Sequence, residues 1–143
     1  MTRPTLFLAS VLTAGALTLG GCATPMQATT PHRVVFQVSD NDPAKWNLAL
    51  NNAKNVQQEY GSRPMQVEIV AYGPGIGMLK ADSPTANRVT EASKAGVQIV
   101  ACQNTMKAQK LNTADMNASI GYVPAGVVKL MTRQREGWSY IRP

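Results

Sequence analysis

Histidine occurs once in this sequence, at position 32, and cysteine only twice, at positions 22 and 102. His32 precedes the first apolar run, so a Cys-His dyad or a Ser-His-Asp triad inside the folded region is excluded. One or two thiols and a single histidine give no ligand spacing for structural zinc, and no metal or other cofactor is expected. Charged residues are sparse, at 15% of the chain, and the net charge of +6 is scattered rather than clustered. That balance attracts anions in general but lacks the basic stripe that nucleic-acid binding requires. Repeats and low-complexity stretches are absent, and the one extended uncharged apolar stretch lies at the N-terminus.

There, Arg3 supplies a positive charge ahead of the uncharged stretch Leu6 to Leu19. Its length and flanks suit a secretory signal rather than a membrane-spanning helix. Leu19-Gly20-Gly21-Cys22 resembles a bacterial lipobox. The resemblance implies removal of residues 1–21, lipidation of Cys22 and a membrane anchor made of several acyl chains. Cleavage near Ala14-Gly15-Ala16 is the alternative, with a shorter apolar core. Ala23, in place of the Asp associated with inner-membrane retention, points to the outer membrane and a periplasm-facing domain. Processing at Cys22 leaves 122 residues, enough for one domain and its core. Residues 22–32 then read as the lipidated cysteine and a flexible, uncharged tether, and residues 33–143 as the domain.

Within the domain, short apolar runs alternate with amphipathic ones, which predicts an α/β fold of three layers over a mainly parallel five-stranded sheet. Expected strands are Val34 to Val38, Val67 to Tyr72, Val97 to Ala101, Ile120 to Val123 and Trp138 to Ile141. Trp46, Leu50, Ala53, Val56 and Tyr60 recur at helical spacing until Gly61. Ser83-Pro84 reads as an N-cap with proline at the first helical position of the next helix. A short helix is expected around Met106 to Leu111, and a last one through Val127, Leu130, Met131 and Gln134. Trp46, Trp138 and Tyr140 read as core or subunit-contact aromatics.

Cys102 carries the chemistry. It stands directly after an apolar strand and directly before Gln103-Asn104-Thr105, which opens a helix. Ligands collect at the carboxyl ends of parallel strands, and a helix N-terminus there favours a thiolate. The competing reading is a small buried hydrophobe closing a core strand. Gly73-Pro74-Gly75-Ile76-Gly77 could cradle an anion with its amides. Met78 breaks the dinucleotide spacing, there is no Gly-Lys-Ser/Thr, and the segment reads first as a turn. Even as a turn, Gly73 and Gly75 end a parallel strand and so share a rim with Cys102. Asp40 and Asp42 read as helix caps before cation ligands.

The runs Val34-Val35-Phe36-Gln37-Val38-Ser39, Val70-Ala71-Tyr72-Gly73-Pro74-Gly75, Val100-Ala101-Cys102-Gln103-Asn104-Thr105-Met106, Val123-Pro124-Ala125-Gly126-Val127 and Gly137-Trp138-Ser139-Tyr140-Ile141-Arg142-Pro143 resemble the DsrE/DsrF-like family. The resemblance implies a parallel sheet of flavodoxin-like order and assembly into homotrimers or hexamers. In the family's sulfur-transfer members it also implies a cysteine carrying sulfane sulfur as a persulfide, between donor and acceptor proteins. Cys102 occupies that place, and Asn104 and Thr105 are the nearest groups to support its thiolate. Lys107-Ala108-Gln109-Lys110 stands where the relay subunits carry paired arginines. The other functional reading is a non-catalytic, oligomeric small-ligand-binding or scaffold module in which Cys102 is buried.

Overall fold

The computed structural model describes residues 31–143; the signal segment, Cys22 and all but the end of the expected tether lie outside the described residues. Five strands, β1 (His32–Val38), β2 (Met65–Ala71), β3 (Gln98–Cys102), β4 (Gly121–Val123) and β5 (Ser139–Ile141), form one sheet in which every pairing is parallel. The helices are α1 (Pro43–Tyr60), α2 (Ala86–Lys94), α3 (Gln103–Ala108) and α4 (Gly126–Arg135). Among the described residues no helix is long and apolar enough to cross a membrane.

The strand order is β4-β3-β2-β1-β5, which corrects the expected flavodoxin-like order, 2-1-3-4-5. Here β1 to β4 step across the sheet in one direction, and the chain then returns to place β5 on the far side of β1. Parallel crossovers keep one hand, so a reversal of direction puts the connecting helix on the opposite face. Period-two alternation divides the apolar residues accordingly. Phe36, Ile69, Ile99 and Ala101 share the larger core with Trp46 and Leu50 of α1, Val89 of α2 and Met106 of α3. Val35 and Val70 pack instead with Leu130 of α4 and with Trp138. The three layers are therefore unequal, with α4 alone on its side.

Several boundaries differ from the sequence reading for local reasons. β1 begins at His32, whose backbone pairs with Met65 and whose ring lies 4.4 Å from that of Tyr60, so the tether gives way to strand one residue before its expected end. Asp42 caps α1 as expected, its carboxylate accepting from the Ala44 amide at 2.8 Å. Gly61 closes that helix at φ 56°. The glycine-rich segment is not a simple turn but a 3-10 helix, Gly73–Leu79, with Ile76, Met78 and Leu79 buried. Ser83-Pro84 does not open α2. Buried Thr85 donates to the Met78 carbonyl at 3.1 Å and holds residues 83–85 as a turn, so the helix starts at Ala86. α3 starts three residues before the expected Met106, immediately after Cys102.

One charge is buried beneath α4. Glu68, in the middle of β2, is 1% exposed and faces Lys129 Nζ at 3.4 Å and the Arg133 guanidinium. Arg133 also pairs with Glu136 at 2.8 Å and lies 4.3 Å over the Trp138 ring. Removing one partner of a buried ion pair leaves the others desolvated and unpaired. Glu68→Gln keeps the shape and removes the charge, and is expected to lower unfolding stability by about 2 kcal/mol or more. Chemical denaturation of this variant, of Arg133→Met and of the double variant checks the assignment. The double variant should lose less than the two single losses added together.

Candidate functional site at the end of strand β3

Cys102 is the last residue of β3 and the N-cap of α3. β3 is an inner strand, flanked by β2 and β4, so the thiol sits between the carboxyl ends of its neighbours. His32 opens β1 at the opposite end of the parallel sheet, which keeps the imidazole away from the thiol. Cys102 is 5% exposed, and its Sγ lies 3.9 Å from the Pro124 carbonyl oxygen.

Burial alone pushes a thiol's pKa up. Here that effect is present but is outweighed by hydrogen bonds from the Thr105 hydroxyl and from the backbone amides of Gly126, Thr105 and Asn104, which leave the Cys102 thiol below its ordinary value. Thr105 Oγ1 accepts the Gly73 amide at 2.9 Å, which leaves its own hydrogen free to point at the sulfur. The Asn104 amide is shared, since it also donates to the Pro124 carbonyl at 3.1 Å. Gly73 makes this possible at φ 54°, a left-handed backbone, with its carbonyl accepting from Gln109 Nε2 at 3.2 Å. A thiolate held in this way is a nucleophile at lower pH than a free cysteine.

Of the residues singled out in the sequence, Cys102, Thr105, Gly73 and the Asn104 amide come together. The Asn104 side chain is at an exposed position. Gly75 meets the end of β1, and its role is to let the 3-10 segment approach that strand. Gly126 and Tyr72 are what sequence reasoning missed. A Cβ at Gly126 would lie 3.0 Å from Tyr72 Cβ and 3.3 Å from Cys102 Cβ, so the missing side chain lets the first turn of α4 close against both. The one signal was Pro124-Ala125-Gly126 immediately after an apolar strand. It names a turn but not what the turn packs against.

The rim continues beyond Tyr72. Burial holds its phenol above its ordinary pKa, with Tyr140 adding to the effect and Arg142 and a hydrogen bond with Ser39 opposing it. Asp40, next on this rim, is not a helix cap. It pairs with Lys45 at 3.2 Å and Arg142 at 3.3 Å, and its carboxyl is held below the ordinary value chiefly by Lys45. Among the described residues no cluster of three or more His, Cys, Asp or Glu residues could hold a metal ion.

Thr105→Val tests the sulfur environment. Losing the hydroxyl donor is expected to raise the Cys102 thiol pKa, while Thr105→Ser should leave it near that of the parent. The pH dependence of iodoacetamide alkylation reads this directly. Because the folded pKa is depressed, this group contributes stability that is present above the unfolded pKa and lost as pH falls through the folded one. The parent should therefore gain more stability than Thr105→Val as pH rises through that window.

An inner-strand thiol at the carboxyl rim of a small parallel α/β sheet, at the start of a short helix, defines a class of single-cysteine domains. The chain belongs to the DsrE/DsrF-like family, whose model matches residues 32–143. It is similar to a protein of unknown function from Methanobacterium thermoautotrophicum, with 35% identity, 78% of this chain and 99% of that chain covered, and a TM-score of 0.74. A conserved protein of unknown function from Bacteroides thetaiotaomicron shares the fold, at 14% identity, with 78% and 94% covered and a TM-score of 0.60. No curated protein matches the chain. Family and fold are those associated with sulfur relay.

Proposed function

We propose that this protein carries sulfane sulfur as a persulfide on Cys102. The observation that carries the reading is the place of the thiol, at the carboxyl end of an inner parallel strand, at the start of α3 and against the Gly126 turn of α4. The thiolate would attack a donor's sulfane sulfur, hold it as Cys-S-S⁻, and yield the outer sulfur to an acceptor thiol. No histidine is needed. Exposure to tetrasulfide followed by intact-mass measurement, with and without reductant, tests this. A reducible gain of one or more sulfur atoms is expected, and an unchanged mass would sink the reading.

In this proposal the chain is anchored by a lipid on Cys22 at the periplasmic side of the membrane, the outer membrane in preference to the inner. It works there as a homo-oligomer, a trimer or hexamer, with donor and acceptor molecules as its partners. The uneven layers favour self-association. Val127, Val128 and Met131 of α4 and Tyr140 and Ile141 of β5 are exposed apolar residues on neighbouring parts of the fold. A second reading, a non-catalytic binding or scaffold module, is favoured by the low exposure of Cys102. Resistance of Cys102 to alkylation until the chain is denatured would move the conclusion to that module.

A further inference from the structure

We propose that the sulfur donor for Cys102 is a small sulfur anion of the polysulfide class rather than a persulfidated protein. The inference rests on the carrier reading above and adds the class of substrate. Cys102 keeps only 5% of its surface with no other chain present, so assembly into oligomers can only reduce that access.

Main chain forms part of the walls around it. β2 and β4 flank β3. Gly126 lies so close that a single added carbon would crowd both Cys102 and Tyr72. The Pro124 carbonyl stands 3.9 Å from Sγ, and the Asn104 amide is bonded back to that carbonyl. Backbone braced by hydrogen bonds does not swing aside as an exposed side chain does. Transfer from a protein persulfide needs the donor's outer sulfur, its inner sulfur and Sγ nearly in line, with the donor's own backbone one side chain away. A chain of a few sulfur atoms brings no such bulk. The net charge, +5 once residues 1–21 and with them Arg3 are removed, also favours the approach of anions.

The step balances without a co-reactant. Cys102-S⁻ and S4²⁻ give Cys102-S-S⁻ and S3²⁻. A bond forms between Sγ and a terminal sulfur of the tetrasulfide, the adjacent S–S bond breaks, and its electron pair leaves with the trisulfide. The cysteine sulfur is oxidised, the inner tetrasulfide sulfur that becomes the new end of the trisulfide is reduced in equal measure, the transferred sulfur keeps its oxidation state, and no proton is consumed.

The test uses the full-length chain in detergent micelles and two donors, sodium tetrasulfide and persulfidated serum albumin. Each loading rate is divided by that donor's rate with glutathione, and iodoacetamide reports thiol reactivity in parallel. Tetrasulfide is expected to load Cys102, and albumin persulfide to be disfavoured by at least about tenfold in the normalised rate. Equal normalised rates, or loading by albumin persulfide alone, would overturn the size limit and leave the carrier reading standing. Alkylation by iodoacetamide with no sulfur gained from either donor would overturn both.

Discussion

Replacing Cys102 with serine is expected to abolish reducible sulfur uptake from tetrasulfide while leaving the fold intact. Among the described residues Cys102 is the only cysteine, so no second thiol there can take over. The substitution exchanges a sulfur for a smaller oxygen at a position beside the Pro124 carbonyl and the first turn of α3. The serine hydroxyl can donate to the Pro124 carbonyl, which lies 3.9 Å from the sulfur. A buried polar group that keeps its hydrogen bonds costs little, so thermal unfolding should shift by no more than a few degrees, corresponding to about 1 kcal/mol. Intact mass after tetrasulfide treatment and a melting curve on the same sample read both halves. Labile sulfur retained by the serine variant would remove Cys102 from its proposed role.

The second large effect concerns stability. Gly75→Ala would place a Cβ 2.4 Å from the Val38 carbonyl oxygen, 2.6 Å from its carbon and 2.8 Å from Ser39 Cα, all of them backbone atoms. No rotamer change relieves such a clash, so the 3-10 segment or the end of β1 must move. Either shift strains the bond from the Tyr72 amide to the Val38 carbonyl, at 3.1 Å, which ties β2 to β1 beside the site. A loss of about 3 kcal/mol or more is expected, visible as a fall of about 10 °C or more in Tm. Gly61→Ala is the informative contrast. No atom lies within 4 Å of its added carbon, and the left-handed φ of 56° alone should cost only about 1 kcal/mol. Equal losses at the two positions would mean that backbone conformation, and not the close approach, governs Gly75.

Element types were legible in the sequence because local signals set them. Short apolar runs mark β1 and β2, Asp42 and Gly61 bracket α1, and the position of Cys102 between an apolar run and a polar helix start put the thiol at a strand end. Strand order was not legible. Periodicity says which face a residue takes but not which strand lies beside it, and the sequence before Gly137-Trp138 carries nothing to show that the chain recrosses the sheet. The Gly73 segment was misread because its turn chemistry suits a 3-10 helix equally well, and burial of Ile76, Met78 and Leu79 decides between them. Thr105 and Asn104 follow Cys102 along the chain and were within reach of sequence reasoning. Tyr72 and Gly126 come to the site only through packing, 30 residues before Cys102 and 24 after, where no local pattern extends.

The pairing of β1 with β5 governs how the domain can be born. His32–Val38 is bounded on one side by β2, which follows within a few dozen residues, and on the other by Ser139–Ile141, about a hundred residues later. A chain emerging N-terminus first can zip β1, β2, β3 and β4 in sequence with only short loops to close. One edge of β1 stays bare until nearly the whole polypeptide is available. Closing so long a loop is entropically late, and an unpaired apolar strand edge is the surface on which nascent chains stick to one another. Deletions that remove the last few residues should therefore be felt first as aggregation during synthesis, before any defect at the thiol can be measured.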